Sequence, residues 1–175
     1  MAKIISSHNS KVINSENQAR EKPCNCRKKD QCPLGGQCQA DNIVYQATVT
    51  PTPDPPVGDP PVSIQAETQT YIGLSSTKFK DRYANHTKSF KWEKYSTDTV
   101  LSRYIWDLKR KNIDYQIAWK IIDRGQQFSP VSGVCSLCTS EKYYIIFKPE
   151  FASLNKREEI FGHCLHKKPK LLDNT

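Results

Sequence analysis

The chain lacks any run of the roughly 18–20 apolar residues that a membrane span requires. Its opening stretch, MAKIISSHNSKVINSENQAR, lacks an apolar segment, so no secretory signal is expected. Acidic residues are few beside the basic ones, 18 Asp and Glu against 26 Lys and Arg, which leaves a net charge of +8. That excess disfavours basic partners and suits a polyanion such as nucleic acid or an anionic membrane. The seven cysteines are an odd number, and no export signal accompanies them. Both facts argue against a disulfide framework and for thiolates that ligate metal in a reducing intracellular compartment. No internal repeat is visible. Hydrophobic residues make up 37% of the chain, and the mean hydropathy is −0.68, consistent with one modest core under a very polar surface.

Four segments of organisation follow from composition. Residues 1–23 are polar and without periodicity, and read as a tether. Residues 24–41 hold a cysteine cluster, CNCRKKDQCPLGGQC, with the turn PLGG inside it. From residue 42 the patterning becomes that of a domain extending to 175. NIVYQATVT (42–50) alternates and is β-branched, so a strand is expected. PTPDPPVGDPPVS (51–63) carries six prolines in thirteen residues and reads as a solvated, semi-rigid insertion. TQTYIGLS (68–75) predicts a second strand.

Helical character then takes over at STKFKDRYANHTKSF (76–90), with Phe79, Tyr83 and Phe90 near helical spacing. STDTVLSRYIWDLKRK (96–111) predicts a clearer helix, with Ser96 or Thr97 as its cap. Its apolar stripe is Val100, Leu101, Tyr104, Ile105 and Leu108. DYQIAWKIIDRG (114–125) predicts a third strand with Ile117, Trp119 and Ile121 on one face. CSLCTSEKYYIIFK (135–148) predicts a helix capped by Thr139 or Ser140, and LNKREEIFGHCLHKK (154–168) a last short one ending at Gly162. The order strand, strand, helix, helix, strand, helix specifies an α+β fold, a small antiparallel three-stranded sheet flanked by helices.

Zinc takes four soft or borderline ligands, usually two from one tight turn. Cys135 and Cys138 form such a turn, and Cys164 with His166 can complete the set, His163 being the competing fourth ligand. Cys24, Cys26, Cys32 and Cys38 make a second complete set. Seven cysteines and one histidine then fill two tetrahedral sites with none left over.

Phosphodiester hydrolysis needs a carboxylate for a divalent cation, a cationic side chain for the phosphate, and a group that takes a proton from water. Those types occur in order here. Tyr45 and Tyr71 lie near strand ends. Arg82 and His86 stand four apart on one helix face. Glu141 opens a later helix, and Asn155 follows. Each alone reads equally well as a core tyrosine, a solvated cation or a cap.

The series Tyr, YIG, Arg-x-x-x-His, Glu, Asn resembles the GIY-YIG nuclease superfamily over about residues 42–156. IVY stands for the first half of that name, with Ile43 where the family usually has glycine, and YIG is intact at 71–73. Still closer is the likeness to the endonuclease domain of Penelope-like retroelements, carried by CNCR, CPLGGQC, YIGLS, FKDRY, SRYIW, CSLCTSEK and LNKRE. IISSHNSKVI is similar to the linker that joins their reverse transcriptase to the nuclease.

The resemblance implies a GIY-YIG-like fold with zinc-binding elements and a DNA nickase located in the nucleus. Its 3′-hydroxyl product would prime reverse transcription on the target. It implies DNA and the reverse transcriptase domain of the same polyprotein as partners, and no membrane. Glu141 would hold Mg²⁺ or Mn²⁺, and Arg82 would bind the scissile phosphate. Tyr45, Tyr71 or His86 would act as general base, the choice among them left open, and Asn155 would orient the site. The alternative is a zinc-stabilised nucleic-acid-binding module without catalysis.

Overall fold

A computed structural model describes residues 23–52, 67–126, 134–156 and 164 of the chain. Among these, three strands form one antiparallel sheet: β1 (Ile43–Thr52), β2 (Gln69–Ser75) and β3 (Asp114–Arg124). The order is β2-β1-β3, so β1 is central. Three α-helices accompany them: α1 (Phe79–Lys91), α2 (Val100–Arg110) and α3 (Ser136–Phe147). The protein is therefore α+β, with the element order expected from the sequence. Among the described residues no helix is long and apolar enough to cross a membrane. The tether up to residue 22, the insertion from residue 53 to 63, and the last expected helix beyond Lys156, with His163 and His166, lie outside the described residues.

Alternation along β1 explains the layering. Ile43, Tyr45, Ala47 and Val49 face a core that α1 and α2 complete with Phe79, Leu101 and Ile105. Val44 points the other way, joining Ile72, Leu137 and Ile145 beneath α3. Helices thus cover both faces of the sheet. A bulge in β3 lets Ile121 oppose Tyr45 while Asp123 opposes Val44. Ile121 serves the first core and Ile122 the second.

Several local expectations need correction. The insertion was expected from residue 51, but β1 runs on to Thr52, with Pro51 opposite Tyr115. β2 pairs with β1 only as far as Val49. Among the described residues the central strand has one neighbour at Pro51, and a missing N–H is tolerated there as on an edge.

Neither Ser96 nor Thr97 caps α2. Thr99 does, accepting the Ser102 N–H at 3.0 Å, while the Ser102 hydroxyl accepts the Thr99 N–H at 2.9 Å. Ser and Thr are so dense in STDT that composition could not choose among them. Such a cap is worth about 1 kcal/mol. Burying Leu101 or Ile105 is worth roughly 1.5–3 kcal/mol each, so the apolar stripe aims the helix and the cap sets its first residue.

α3 likewise starts earlier than Thr139 or Ser140. Cys135 is its N-cap, the Thr139 hydroxyl donates back to the Cys135 carbonyl at 3.0 Å, and the Ser140 hydroxyl donates to Asp123 on β3. Glu141 therefore sits inside α3, a full turn past its start.

Candidate functional site

Tyr45 sits fully buried on the central strand, where its ring lies directly over Gly73 of β2. The two residues are paired in register. A Cβ on Gly73 would stand 2.5 Å from the Tyr45 hydroxyl oxygen and 3.0 Å from the Tyr71 ring. Glycine is required here by close approach rather than by backbone twist. The ring cannot retreat, because its hydroxyl is held twice, by Arg82 Nε donating at 3.0 Å and by His86 Nε2 at 2.7 Å. In the Gly73→Ala protein we expect a loss of about 2–3 kcal/mol of stability and a melting midpoint lower by about 5–10 °C. A melt like that of the native chain would show that the Tyr45 ring can swing aside.

Position 43 is the opposite case, an isoleucine where the sequence resemblance leads one to expect glycine. Ile43 is fully buried in regular strand, and the positive φ of 48° falls on Asn42 instead. Asparagine tolerates that conformation, so the strand entry needs no glycine at 43.

Electrostatics set the charges in this cluster. Arg82 donates to the Tyr45 hydroxyl, which shares a second hydrogen bond with His86 Nε2. Burial first, and then the Arg82 charge, push the His86 pKa down to about 3. The imidazole is therefore neutral at neutral pH. Burial pushes the Tyr45 phenol up to about 12, against the pull of Arg82 and with the added push of Glu141. Burial works against the charge on Arg82, but Tyr45 and then Tyr71 outweigh it and raise its pKa. The cluster thus keeps one fixed positive charge, held by two tyrosines.

That charge borders an open cleft of about 290 Å³, lined by Ser75, Asp81, Arg82, Asn85 and Glu141 among others. α1 supplies one wall and α3 the other. Glu141 comes to the cleft although it is nearly sixty residues from Arg82 in sequence. Tyr45 and His86 lie behind Arg82, buried.

Asn155 is placed differently. Its Oδ1 accepts the Ile72 N–H at 2.7 Å and its Nδ2 donates to the Ile72 carbonyl at 3.0 Å. Leu154 N–H adds a bond to the Thr70 carbonyl at 2.9 Å. The segment around Asn155 covers the outer edge of β2 and fixes the backbone between Tyr71 and Gly73. Asp81 and Asn85 were not singled out from the sequence, and Trp119 was read there only as one face of the third strand. The first two stand one residue before and three after Arg82, on the same helix face. The Trp119 ring lies 5.2 Å from His86 and 5.8 Å from Tyr45, brought there by β3 pairing that no local pattern announces.

Two cysteine clusters complete the picture. The Sγ atoms of Cys24, Cys26, Cys32 and Cys38 lie within 4.8 Å of one another, as do those of Cys135, Cys138 and Cys164. The separations Cys26–Cys38 and Cys24–Cys38 are each 3.6 Å, and Cys138–Cys164 is 3.4 Å. A disulfide needs about 2.05 Å, whereas sulfurs at ~2.3 Å from a tetrahedral zinc stand about 3.8 Å apart. Both clusters could hold zinc. In the first, hydrogen bonds from Cys38 and Cys24 raise the Cys26 thiol to about 12. Cys32 is lowered to about 6, because backbone N–H groups of Leu34, Gly36 and Cys38 outweigh its burial. A bound cation would let all four ionise.

The first cluster reaches the cleft through backbone. The Cys38 carbonyl accepts Lys80 N–H and the Ala40 carbonyl accepts Phe79 N–H, both at 2.8 Å. These are two of the orphan donors at the start of α1, which has no side-chain cap. In the second cluster, Cys135 caps α3 and Cys138 lies three residues before Glu141.

No protein-family model, curated protein or solved structure matches this chain.

Proposed function

We propose that the chain is a metal-dependent DNA endonuclease of the GIY-YIG type, from a Penelope-like retroelement. It nicks DNA in the nucleus to leave a 3′-hydroxyl that primes reverse transcription by the polymerase domain of the same polyprotein. The observation that carries this reading is the Arg82–Tyr45–His86 hydrogen-bonded chain seated on Gly73, with Arg82 opening onto the cleft it shares with Glu141. Residues 42–175 then form the nuclease domain, 24–41 its first zinc element and 1–23 a tether. Both zinc ions are structural.

The cleft suits a hard cation. Glu141 offers one carboxylate, and the open volume leaves room for waters, the usual arrangement for Mg²⁺ or Mn²⁺. When bound there, the ion would stabilise the charge that develops on the leaving oxygen. The chain's own residues do the rest. Arg82 neutralises the scissile phosphate, and its guanidinium is held in place by Tyr45 before substrate arrives. His86 is too buried and too weak a base to take a proton from water, and Tyr45 too reluctant to lose one. They orient Arg82. Tyr71, the least buried of the three at 7% exposure, takes the proton of the water, whose oxygen bonds to phosphorus as the P–O3′ bond breaks. The released 3′ oxygen takes a proton from solvent water, which the open cleft admits.

The test is nicking of supercoiled plasmid by the full zinc-loaded chain, with and without Mg²⁺. Nicked circles whose 3′ ends a polymerase extends, formed only with Mg²⁺, are expected. No cleavage by a folded, zinc-loaded chain would leave a binding module without catalysis.

A further inference from the structure

On the other flank of α1 lies a groove of about 480 Å³ between α1, α2 and β3. Its floor is aromatic: Tyr83 and Phe90 from α1, Tyr115 and Trp119 from β3. Its walls carry Lys91 and Lys109. The cleft takes residues 81, 82 and 85 of α1, while the groove takes 83, 87, 90 and 91, so the helix separates the two. We propose that this groove binds single-stranded nucleic acid, with a base stacked on the aromatic floor and the adjoining phosphates on the two lysines.

Three observations select that occupant. No acidic residue lines this groove, and the chain carries a net charge of +8, so a polyanion is the complementary partner. The lysines are already positioned. Lys109 Nζ donates to the Phe90 carbonyl and lies 4.6 Å over the Trp106 ring, and Lys91 Nζ lies 5.5 Å over Trp92. Trp92 itself, the aromatic ring under Lys91, is 53% exposed. Lys88 and Lys94 extend the basic surface along the same end of α1, both within 4.9 Å of the Tyr95 ring.

A duplex could lend phosphates to these lysines but keeps its base faces stacked inside. Only an unpaired base has a free face for an aromatic floor, and alternation of cations with aromatics is how single strands are held without sequence preference. The inference holds whether or not the cleft cleaves DNA.

Fluorescence anisotropy of a labelled twelve-residue oligothymidylate with the full zinc-loaded chain tests it. The native chain is expected to bind with an affinity that falls as salt rises. Tyr115→Ala should weaken binding about tenfold. Lys91→Glu should weaken it by a similar factor and reduce the salt slope by about 0.7, one phosphate contact on a single strand. Unlabelled duplex of the same length should compete poorly. Thermal melts accompany each variant, and if Tyr115→Ala fails to fold, the exposed Lys91→Glu decides. Absence of binding overturns the proposal. So does native affinity in Lys91→Glu, or equal competition by duplex, or binding lost only when Arg82 in the cleft is changed to alanine.

Discussion

On the proposed reading, Mg²⁺-dependent nicking by the Glu141→Ala protein is expected to fall by at least about a thousandfold while the thermal melt stays where it is. A metal ion at the reacting phosphate supplies several kcal/mol, and each 1.36 kcal/mol is about tenfold in rate, so about a thousandfold is the floor for losing its carboxylate. The fold should not notice. Glu141 lies a full turn inside α3, where alanine is the best helix former. Removing a negative charge from a cleft that also holds Arg82 should leave DNA affinity unchanged or tighter. Plasmid nicking, melting and DNA binding together check this. Undiminished Mg²⁺-dependent cleavage would move the metal elsewhere, with Asp81 on the facing wall the first place to look.

The contrast between what was legible and what was not has a physical basis. Period-2 and period-3.6 patterning depend on each segment alone, so the three strands, the three helices and the stripe on α2 were readable residue by residue. The Arg82–His86 spacing was readable for the same reason, and both side chains do reach the Tyr45 hydroxyl. What pairing between distant segments decides was hidden. The register that sets Gly73 against Tyr45 explains why YIG ends in glycine, yet nothing in YIG itself specifies a tyrosine above it. The groove is assembled from aromatics of α1 and β3 that are individually ordinary core positions. Helix starts were misplaced where capping is not done by the expected side chain. α3 begins at a cysteine, and α1 is capped by carbonyls of another element altogether.

That last feature makes the second large effect a structural one. In Cys38→Ser, we expect zinc content to fall by one equivalent, stability by about 3 kcal/mol or more, and nicking by about tenfold or more, with its Mg²⁺ requirement intact. Cys38 is fully buried, and its sulfur is 3.6 Å from both Cys24 and Cys26. Its own carbonyl and that of Ala40 hold the first two N–H groups of α1. Leu34, within the same cluster, belongs to the core that includes Tyr45 and Phe79. A cluster that loses its metal frees all three attachments together, and α1 is the helix that carries Arg82 and His86. Loosening it displaces the phosphate-binding charge without touching the carboxylate, so the rate falls less than in Glu141→Ala while the melt falls more. Metal analysis, a thermal melt and the plasmid assay on the two variants separate the roles. Should Cys38→Ser keep its zinc, its melt and its activity, the N-terminal cysteines would be a passenger on the domain rather than the cap of α1.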